Sequence, residues 1–341
     1  MAYAGIAALI PSYRPDGELS RVVEGLRAVG FSRIVVVDDG NGEAGRRFFE
    51  HLGEGVEVLR HAENRGKGAA LKTGLAHIAK GGGWAVVTAD ADGQHAPSDC
   101  AKVADALSRS PESLILGVRD KSRMPSRSKA GNRITCMAVG LLFGLWVSDT
   151  QTGLRGLPAS ALARFARLRG DRYEYENTML IAAKEAGMGV VEVGIETIYM
   201  EGNASSHFNA VKDSARIYRL LFDRFSMRRG VSLTSTAADW LAFAALCVAL
   251  PGASPALPAF AGRGAGAAAF YTVRYTRGGV GGFLSFAFRF ALLAALSWLS
   301  IAALESLGIG RFAAKAISDA ALFAAHMAFL APPGGDAAED R

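Results

Sequence analysis

Two aspartates, Asp90 and Asp92, stand two positions apart just after a short apolar run, Trp84 to Thr88. That run is rich in β-branched residues and has no helical period, so it predicts a buried strand. In an open α/β sheet, ligands bind in the crevice beyond the carboxyl ends of the strands. Two carboxylates at that place, followed by the amide oxygen of Gln94, form a hard oxygen site suited to Mg²⁺ or Mn²⁺. A DxD alone is a weak signal, because acidic turns after strands are common and are mostly just solvated.

Two other predicted strands end in polar residues that belong at the same edge of the sheet. The strand over residues 5–10 runs into Pro11 and Tyr13, and the strand over residues 34–37 runs into Asp39. Tyr13 offers an aromatic face, and Asp39 offers a carboxylate that can hydrogen-bond a base or a ribose. These residue types suit the nucleoside part of a ligand.

A glycine-rich segment, residues 64–68 with the sequence NRGKG, opens a predicted helix over residues 69–78. Free backbone N–H groups at a helix start, together with the cation of Lys67, favour anions. A metal site, a nucleoside-binding edge and an anion-binding helix start together supply what a nucleotide-diphosphate sugar requires.

The elements that position these residues alternate between strand and helix. Helical periods and short apolar runs follow one another through the first 120 residues, which predicts a mostly parallel sheet covered by helices on both faces. The predicted strands are residues 5–10, 34–37, 56–59, 84–88 and 114–118, and the predicted helices are residues 19–29, 69–78 and 97–107.

Composition limits the class of protein. A length of 341 residues suggests two domains. The formal net charge of +6 indicates anionic partners without identifying them, and we expect no nucleic-acid partner. The three cysteines have no paired spacing, which argues against a disulfide framework or a thiolate metal site and fits a reducing compartment. The first residues lack the pattern of a signal peptide.

A basic stretch precedes a short apolar segment. Residues 119–133 hold six basic side chains against one acid, Asp120, and residues 134–146 are almost wholly apolar. This combination suits a helix at a membrane interface over about residues 129–146, and a buried core helix is the alternative. A second basic amphipathic helix is predicted over about residues 207–229. His207 lies at its start and either contacts a phosphate or stands in a surface loop.

Asp149 follows the apolar segment, and the sequence allows two roles for it. A hydroxyl acceptor would need a base to remove its proton, and Asp149 could serve as that base. A phosphate acceptor is already anionic and can attack without a base, in which case Asp149 orients a neighbouring group.

From residue 233 the chain becomes strongly apolar. We expect a first domain over residues 1–230 and an all-α transmembrane domain over residues 231–333, with spans at about 233–250, 256–273, 280–304 and 311–331. The distribution of arginine in the connecting loops predicts a multi-pass inner or plasma membrane protein with the first domain in the cytoplasm. Charged residues inside the spans should pair with each other or line a polar path, since each unpaired charge costs roughly 2.5–3.5 kcal/mol at mid-bilayer. These residues are Asp239, Arg263, Arg289, Lys315 and Asp319.

Several sequence segments, taken in order, resemble those of a known protein family. The chain contains, in order, the segments IPSYRPD, VVDDG, NRGKGAALKTG and VTADADGQH, which resemble the inverting family 2 glycosyltransferases of the GT-A (Rossmann-like) fold. The later segments RSKAGNRIT, DTQTGLRG, RYEYENTML and ETIYMEGNASSHF resemble the polyprenyl-phosphate, or dolichol-phosphate-mannose-synthase-like, branch of that family. The resemblance covers roughly residues 5–220. The membrane region resembles a GtrA-type four-helix domain in hydropathy and a few residues.

The resemblance implies roles for individual residues. It assigns Asp39 to the nucleobase side of the donor, with Pro11, Tyr13, Lys67 and Asp90 also at the donor. It assigns the metal to Asp90, Asp92 and Gln94, and the acceptor phosphate to Arg119 and Arg133. Asp92, Arg119, Arg133 and Asp149 are the residues we expect to take part in catalysis. Where the family usually has asparagine in its first motif, this chain has Arg14.

We therefore expect an enzyme that transfers a hexose, glucose or mannose, from a UDP- or GDP-sugar to polyprenyl phosphate with inversion. Two alternatives stay open at this point: transfer to a glycan hydroxyl, and a flippase for a lipid-linked sugar with a sugar-nucleotide-binding module. A homo-oligomer is also left open. The GxGxxG pattern at residues 40–45 resembles a dinucleotide fingerprint, but it follows the second strand and lies beside two carboxylates, so we read it as a glycine turn.

Overall fold

The first of the chain's two compact units, Met1–Phe222, is built on one β-sheet. The structure, a computed structural model, describes residues 3–120, 122, 124–198, 212–229, 233–276 and 283–329. Within these residues one sheet has seven strands in the order β3-β2-β1-β4-β6-β5-β7. The strands are β1 (Ile6–Ser12), β2 (Arg33–Asp38), β3 (Val56–Arg60), β4 (Ala85–Thr88), β5 (Leu114–Arg119), β6 (Arg155–Leu157) and β7 (Val190–Ile195).

Strand direction decides where the polar ends meet. All pairs in the sheet are parallel except those of β6, which runs antiparallel to both of its neighbours. In register, Ser12 lies opposite Asp38, and Leu9 lies opposite Thr88. The carboxyl ends of β1, β2 and β4 therefore share one edge. The predicted α/β fold with a mostly parallel sheet is confirmed, whereas β6 and β7 were not predicted.

Helices cover both faces of this sheet. The helices up to residue 229 are α1 (Glu18–Ala28), α2 (Gly42–Glu50), α3 (Lys67–Lys80), α4 (Pro97–Arg109), α5 (Ser126–Phe143), α6 (Leu162–Phe165), α7 (Glu174–Glu185) and α8 (Lys212–Arg229). The amphipathic period of α1 buries Leu19, Val23 and Leu26, each at 1 % exposure or less. Each such side chain contributes about 1.5–3 kcal/mol by leaving water. On the other face Gly74 lets α3 approach β1 closely, because a Cβ there would lie 2.2 Å from Leu9 Cδ1.

Helix α5 occupies the segment predicted over about residues 129–146. One face is buried in the first unit through Val139 and Phe143, while Ile134, Met137 and Leu141 are exposed. The helix is thus neither wholly buried nor wholly exposed, and it leaves an apolar face uncovered within the described residues. Whether that face meets a lipid stays a prediction.

The chain divides into two compact units, Met1–Phe222 and Asp223–Asp336. Among the described residues, four helices follow α8 in the second unit, and they coincide to within a few residues with the four predicted spans. They are α9 (Leu233–Ala249), α10 (Ala256–Thr276), α11 (Phe283–Ser306) and α12 (Arg311–Phe329). The resemblance of this unit to GtrA-type domains stays a prediction.

Four of the charged residues predicted to lie inside the spans pair with each other, which is one of the two predicted outcomes. Lys315, which is wholly buried, places its Nζ 2.9 Å from Asp239 Oδ1 and 3.3 Å from Asp319 Oδ2. Arg263 Nη1 lies 2.6 Å from Asp239 Oδ2, and the same guanidinium also donates to Asp319. Two cations and two anions thus neutralise each other among the helices. The side chain of Arg289 lies outside the described residues.

One prediction about the second unit is wrong. Among the helices that the structure describes, none combines the length and the apolar composition needed to cross a bilayer. The predicted localisation as a multi-pass membrane protein with a cytoplasmic first domain therefore fails. Helix α9 has 17 residues, short of the about 20 that a span needs, and α12 carries Lys315 and Asp319 in its interior. A small group of side chains packs between the helices, around Phe243, Ala259 and Ile301, while other large apolar side chains of these helices, such as Leu241 and Val248, are exposed.

Candidate functional site

The site begins with an ion cluster at the end of β4. Lys67, the first residue of α3, places its Nζ 2.7 Å from Asp90 Oδ1 and 2.8 Å from Glu176 Oε1. Burial alone would lower the pKa of Lys67, but the charges of Asp90 and Glu176 outweigh it and raise that pKa, so the amine stays protonated. Gly153 allows this packing, since a Cβ there would lie 2.3 Å from Asp90 Oδ2.

The second aspartate of the DxD pair lies in a different electrostatic environment. Burial, followed by the charge of Asp90, raises the pKa of Asp92 to about 6. Its Oδ1 accepts a hydrogen bond from the backbone N–H of Gln94 at 3.1 Å. Asp92 therefore carries negative charge that its surroundings stabilise poorly, a situation that a cation would relieve.

His95, which was not among the predicted site residues, hydrogen-bonds to the backbone of the DxD turn. Its Nδ1 accepts a hydrogen bond from the backbone N–H of Asp90 at 3.2 Å, and its side chain is buried. Burial lowers the pKa of His95, which favours the neutral ring with its proton on Nε2. The histidine therefore fixes the turn that presents Asp90. It stands at the end of the motif VTADADGQH.

The donor set at this turn fits a hard divalent ion. Asp90 and Asp92 supply carboxylates, and Gln94 follows on the same turn, partly buried. In the described part of the chain no group of three or more His, Cys, Asp or Glu side chains is placed to hold a metal by itself. Mg²⁺ commonly binds through one or two carboxylates plus substrate phosphates and waters, which matches such a partial set.

A salt bridge links Arg119, at the carboxyl end of β5, to Asp149 in the segment after α5. Arg119 Nε donates to Asp149 Oδ2 at 2.7 Å, and Arg119 Nη2 donates to Asp149 Oδ1 at 3.0 Å. Asp149 Oδ1 also accepts from the backbone N–H of Gln151 at 3.0 Å, and the side chain is 1 % exposed. Both carboxylate oxygens are thus engaged in holding neighbours. This geometry favours the orienting role of Asp149 over that of a base.

The most buried charge of the site is one that the sequence did not single out. Arg155 in β6 is wholly inaccessible and donates Nε to Thr152 O at 3.0 Å, Nη1 to Glu176 O at 2.6 Å and Nη2 to Thr150 O at 3.0 Å. Burial lowers its pKa, and the charges of Glu176 and Asp149 act in the opposite direction. Arg155 therefore joins the loop after Asp149 to the first turn of α7. The only sequence signal was its place in the motif DTQTGLRG.

The segment RYEYENTML contains two glutamates, Glu174 and Glu176, which have different surroundings in the structure. Glu174 Oε1 accepts from the backbone N–H groups of Asp171 at 3.0 Å and Arg172 at 3.2 Å, which stabilises the start of α7. Glu176 is 4 % exposed and pairs with Lys67. Only Glu176 belongs to the site.

Asp39 lies directly after β2 and accepts four hydrogen bonds from the segment between β3 and α3. Two of its donors are the backbone N–H groups of Arg65 at 2.9 Å and Gly66 at 2.8 Å. The prediction that backbone N–H groups at this helix start are free for a ligand anion is therefore wrong for these two, because the Asp39 carboxylate already occupies them. Nearby, Pro11 lies opposite Val37 in the sheet, and β1 is followed by the partly buried Tyr13.

The remaining predicted acceptor residues are placed less directly. Arg133 is exposed on α5, and its neighbour Asn132 accepts from the N–H and the hydroxyl of Thr150, both at 3.2 Å. This part of α5 is therefore fixed to the loop that follows Asp149. His207 lies outside the described residues.

The GxGxxG pattern has a packing explanation. Gly40 has a φ of +75°, and a Cβ there would lie 2.1 Å from Glu63 C. Gly45 is similarly close to Asn41, at 2.4 Å from its Cβ. These glycines allow close approach of the chain to itself.

Comparisons with known proteins show which sequences and folds this chain resembles. The family model "Glycosyl transferase family 2" matches residues 8–176. UDP-N-acetylglucosamine–dolichyl-phosphate N-acetylglucosaminyltransferase of Methanococcus voltae is 34 % identical over 242 residues, 65 % of this chain and 96 % of that protein. Dolichyl-phosphate beta-glucosyltransferase of Saccharomyces cerevisiae is 25 % identical over 58 % of this chain and 68 % of its own length.

The fold also has a counterpart among solved structures. Glucosyl-3-phosphoglycerate synthase from Mycobacterium tuberculosis, in complex with Mn²⁺, UDP and phosphoglyceric acid, superposes with a TM-score of 0.52 at 14 % identity, covering 68 % of this chain and 80 % of that one. That likeness concerns the fold alone. The sequence matches go further: a family model over residues 8–176 and a relative matched over nearly its whole length show that the chain belongs to glycosyl transferase family 2.

Proposed function

We propose that this glycosyltransferase transfers a sugar from a nucleotide-diphosphate donor to polyprenyl phosphate, with inversion at the anomeric carbon. The observation that carries the proposal is that one edge of the sheet holds both the Asp90–Lys67 cluster and the Arg119–Asp149 salt bridge. The first suits a metal-bound diphosphate and the second suits an anionic acceptor. The names of the two relatives support the acceptor, since both contain dolichyl phosphate while their sugars differ.

On the donor side, Asp90, Asp92 and Gln94 would hold Mg²⁺ or Mn²⁺. When bound, the metal supplies positive charge to the diphosphate as it leaves. Lys67 adds a cation that its two acidic partners keep protonated. Pro11 and Tyr13 at the end of β1 border the nucleoside. A structure of like fold, that of the Mycobacterium tuberculosis synthase, holds Mn²⁺ and UDP together.

On the acceptor side, Arg119 and Arg133 would bind the lipid phosphate. Arginine holds phosphate by charge-assisted and often bidentate hydrogen bonds, and Asp149 fixes the plane of the Arg119 guanidinium. A phosphate monoester carries negative charge at neutral pH and needs no base to attack the anomeric carbon. The engagement of both Asp149 oxygens therefore supports a phosphate acceptor rather than a glycan hydroxyl, which would require a base.

The transferred sugar is the finer part of the proposal. The sequence indicated a hexose, glucose or mannose, whereas the Methanococcus voltae relative is named for N-acetylglucosamine transfer. The donors to compare are therefore UDP-glucose, GDP-mannose and UDP-N-acetylglucosamine.

Radiolabel transfer to undecaprenyl phosphate by the purified full chain tests the proposal. Each of the three donors is supplied with Mg²⁺ or Mn²⁺, with EDTA as the metal-free arm. Asp92→Asn should lower turnover by at least 100-fold, since it removes one of two metal carboxylates. Arg133→Ala should raise the KM for the lipid, and Lys129→Ala, an exposed cation one turn earlier on α5, is the matched control that should not.

Metal-dependent labelling of the lipid from one donor, lost in Asp92→Asn, would support both the reaction and the metal site. Labelling of a glycan acceptor but not of the lipid would overturn the proposed acceptor. In that case Asp149→Asn should abolish turnover, whereas with a phosphate acceptor it should mainly weaken lipid binding through Arg119.

A further inference from the structure

The Asp39 carboxylate is fully occupied by protein donors. Its Oδ1 accepts from His61 Nδ1 at 2.7 Å and the N–H of Arg65 at 2.9 Å, and its Oδ2 accepts from Asn64 Nδ2 at 3.1 Å and the N–H of Gly66 at 2.8 Å. An ionised carboxylate offers about four lone-pair positions. The residue is 2 % exposed. The N–H of a nucleobase could therefore bind Asp39 only by displacing one of these donors.

All four donors come from one segment, residues 61–66, which leads directly into α3. Gly40 allows the turn after β2 to lie against this segment, because any larger residue would meet the backbone of Glu63 and Asn64. The negative charge of Asp39 thereby faces the N-terminal end of α3, where the helix dipole stabilises an anion. The residue that follows Gly66 is Lys67.

His61 extends the connection into the helix. It is 4 % exposed at the side chain, and its Nε2 lies 2.9 Å from Thr73 Oγ1 in α3. With Nδ1 donating to Asp39, the neutral ring accepts the Thr73 hydroxyl on Nε2, a tautomer assigned from these bonds. Asp39, His61 and Thr73 thus form a buried polar chain from the end of β2 to the second turn of α3.

We infer that Asp39 is a positioning residue for the donor diphosphate and not the residue that reads the base. It fixes the start of α3, and through it the Nζ of Lys67 that bridges Asp90 and Glu176. The inference rests on the proposed function, because the diphosphate is the donor's. It departs from the role that the family resemblance assigns to Asp39.

Binding of UDP, GDP and pyrophosphate in Mg²⁺ to the full chain, measured by calorimetry, separates the two roles. Asp39→Asn keeps the shape of the side chain but replaces one carboxylate oxygen by an NH₂ group. That group cannot accept hydrogen bonds and would face the N–H donors of residues 61–66. The variant should weaken all three probes by about tenfold and leave the UDP-to-GDP affinity ratio unchanged. Thr73→Val removes only a hydroxyl far along the chain and should weaken all three by about threefold or less. The double variant should bind no worse than Asp39→Asn alone.

Hydrogen exchange supplies a readout that does not depend on ligands. The amides of Arg65 and Gly66 should exchange faster in Asp39→Asn and in Thr73→Val. Asp38→Asn is the matched control on the adjacent position, because Asp38 Oδ1 accepts from Asn41 and not from this segment. That control should leave the two amides as they are in the wild type.

A changed UDP-to-GDP ratio in Asp39→Asn, with pyrophosphate binding and amide exchange unaltered, would overturn the inference and restore base reading. Wild-type protein that binds none of the three probes would count against the proposed function itself. In that event the exchange rates of the Arg65 and Gly66 amides still decide whether Asp39 holds the segment.

Discussion

Replacement of Arg155 by methionine tests whether one buried guanidinium holds the two sides of the site together. Methionine fills much of the same volume but has no charge and no donor. It would leave the carbonyl oxygens of Thr150, Thr152 and Glu176 without the hydrogen bonds that Arg155 now supplies at 2.6–3.0 Å. The loop after Asp149 and the first turn of α7 would lose their direct connection.

The expected magnitude follows from two opposed terms. Hydrogen bonds from a charged group contribute about 1.5–3 kcal/mol each, so three contribute about 5–9 kcal/mol. Burial of the guanidinium costs several kcal/mol, and methionine removes that cost. The acids Glu176 and Asp149, whose charges act on Arg155, also lose a compensating cation. We expect a net local loss of about 3 kcal/mol, in the range measured when one member of a buried charged set is removed.

Native-state hydrogen exchange with mass spectrometry measures this locally. Peptides that cover residues 149–157 and 174–185 should exchange about 100-fold faster in Arg155→Met, since each 1.4 kcal/mol corresponds to tenfold. Peptides from α9 and α10 belong to the second unit and serve as the internal control. Arg155→Lys keeps the charge with fewer donors in a different geometry and should fall between wild type and methionine.

We call Arg155 and its three hydrogen bonds the buried clamp. Exchange within threefold of wild type in both peptides would refute the idea that this clamp holds the two segments together. Equal acceleration in every peptide, including those of the second unit, would show a general loss of stability and would also refute it. Donor and lipid KM values measured on the same variants complete the test, because a clamp between the two sides should raise both.

Three further outcomes are expected. In metal-free protein, Asp92→Asn should raise the free energy of unfolding above pH 6 by about 1–2 kcal/mol, allowing for partial exposure. The reason is that the substitution removes a carboxylate whose pKa is raised to about 6 in the folded protein. The gain should vanish as the pH falls toward 4, and thermal melts at the two pH values check it. Arg14 has a φ of +52°, so Arg14→Asn should raise the Tm by about 2–4 °C for a gain of about 1 kcal/mol, and no rise would show that the turn is unstrained. Gly153→Ala places a Cβ 2.3 Å from Asp90 Oδ2 and should weaken UDP binding in Mg²⁺ by at least tenfold, whereas Gly17→Ala, which meets nothing within 4 Å, should not.

Local pattern was sufficient for much of the first unit. The strand ends at Asp39 and Asp90, and the helix that begins near Lys67, follow from short apolar runs, helical periods and glycine turns, which are properties of neighbouring residues. Parallel strands then place their carboxyl ends at one edge, so the crevice itself was predictable. The motifs added the family, which the comparisons confirm.

Prediction from local sequence pattern failed for the apolar segments after residue 233, because an apolar helix can either span a bilayer or pack against other helices. The residues of α9 to α12 were interpreted as bilayer spans because windows of alanine, leucine and phenylalanine are apolar on average. In the structure a small group of these side chains packs between the helices, around Phe243, Ala259 and Ile301, and Asp239 and Lys315 neutralise each other at 2.9 Å. Average hydropathy does not contain that information, since it records composition and not partners.

Which charges meet was decided by the tertiary structure alone. Nothing local distinguishes Glu174 from Glu176, yet one stabilises the start of α7 and the other pairs with Lys67. Strand β6 is three residues long, too short for an alternating pattern, and it brings Arg155 into the centre of the site. The sequence by itself determined the elements and the acidic strand ends, because those depend on adjacent residues. The fold alone decided the ion pairs and the buried clamp, because they join segments that are distant along the chain.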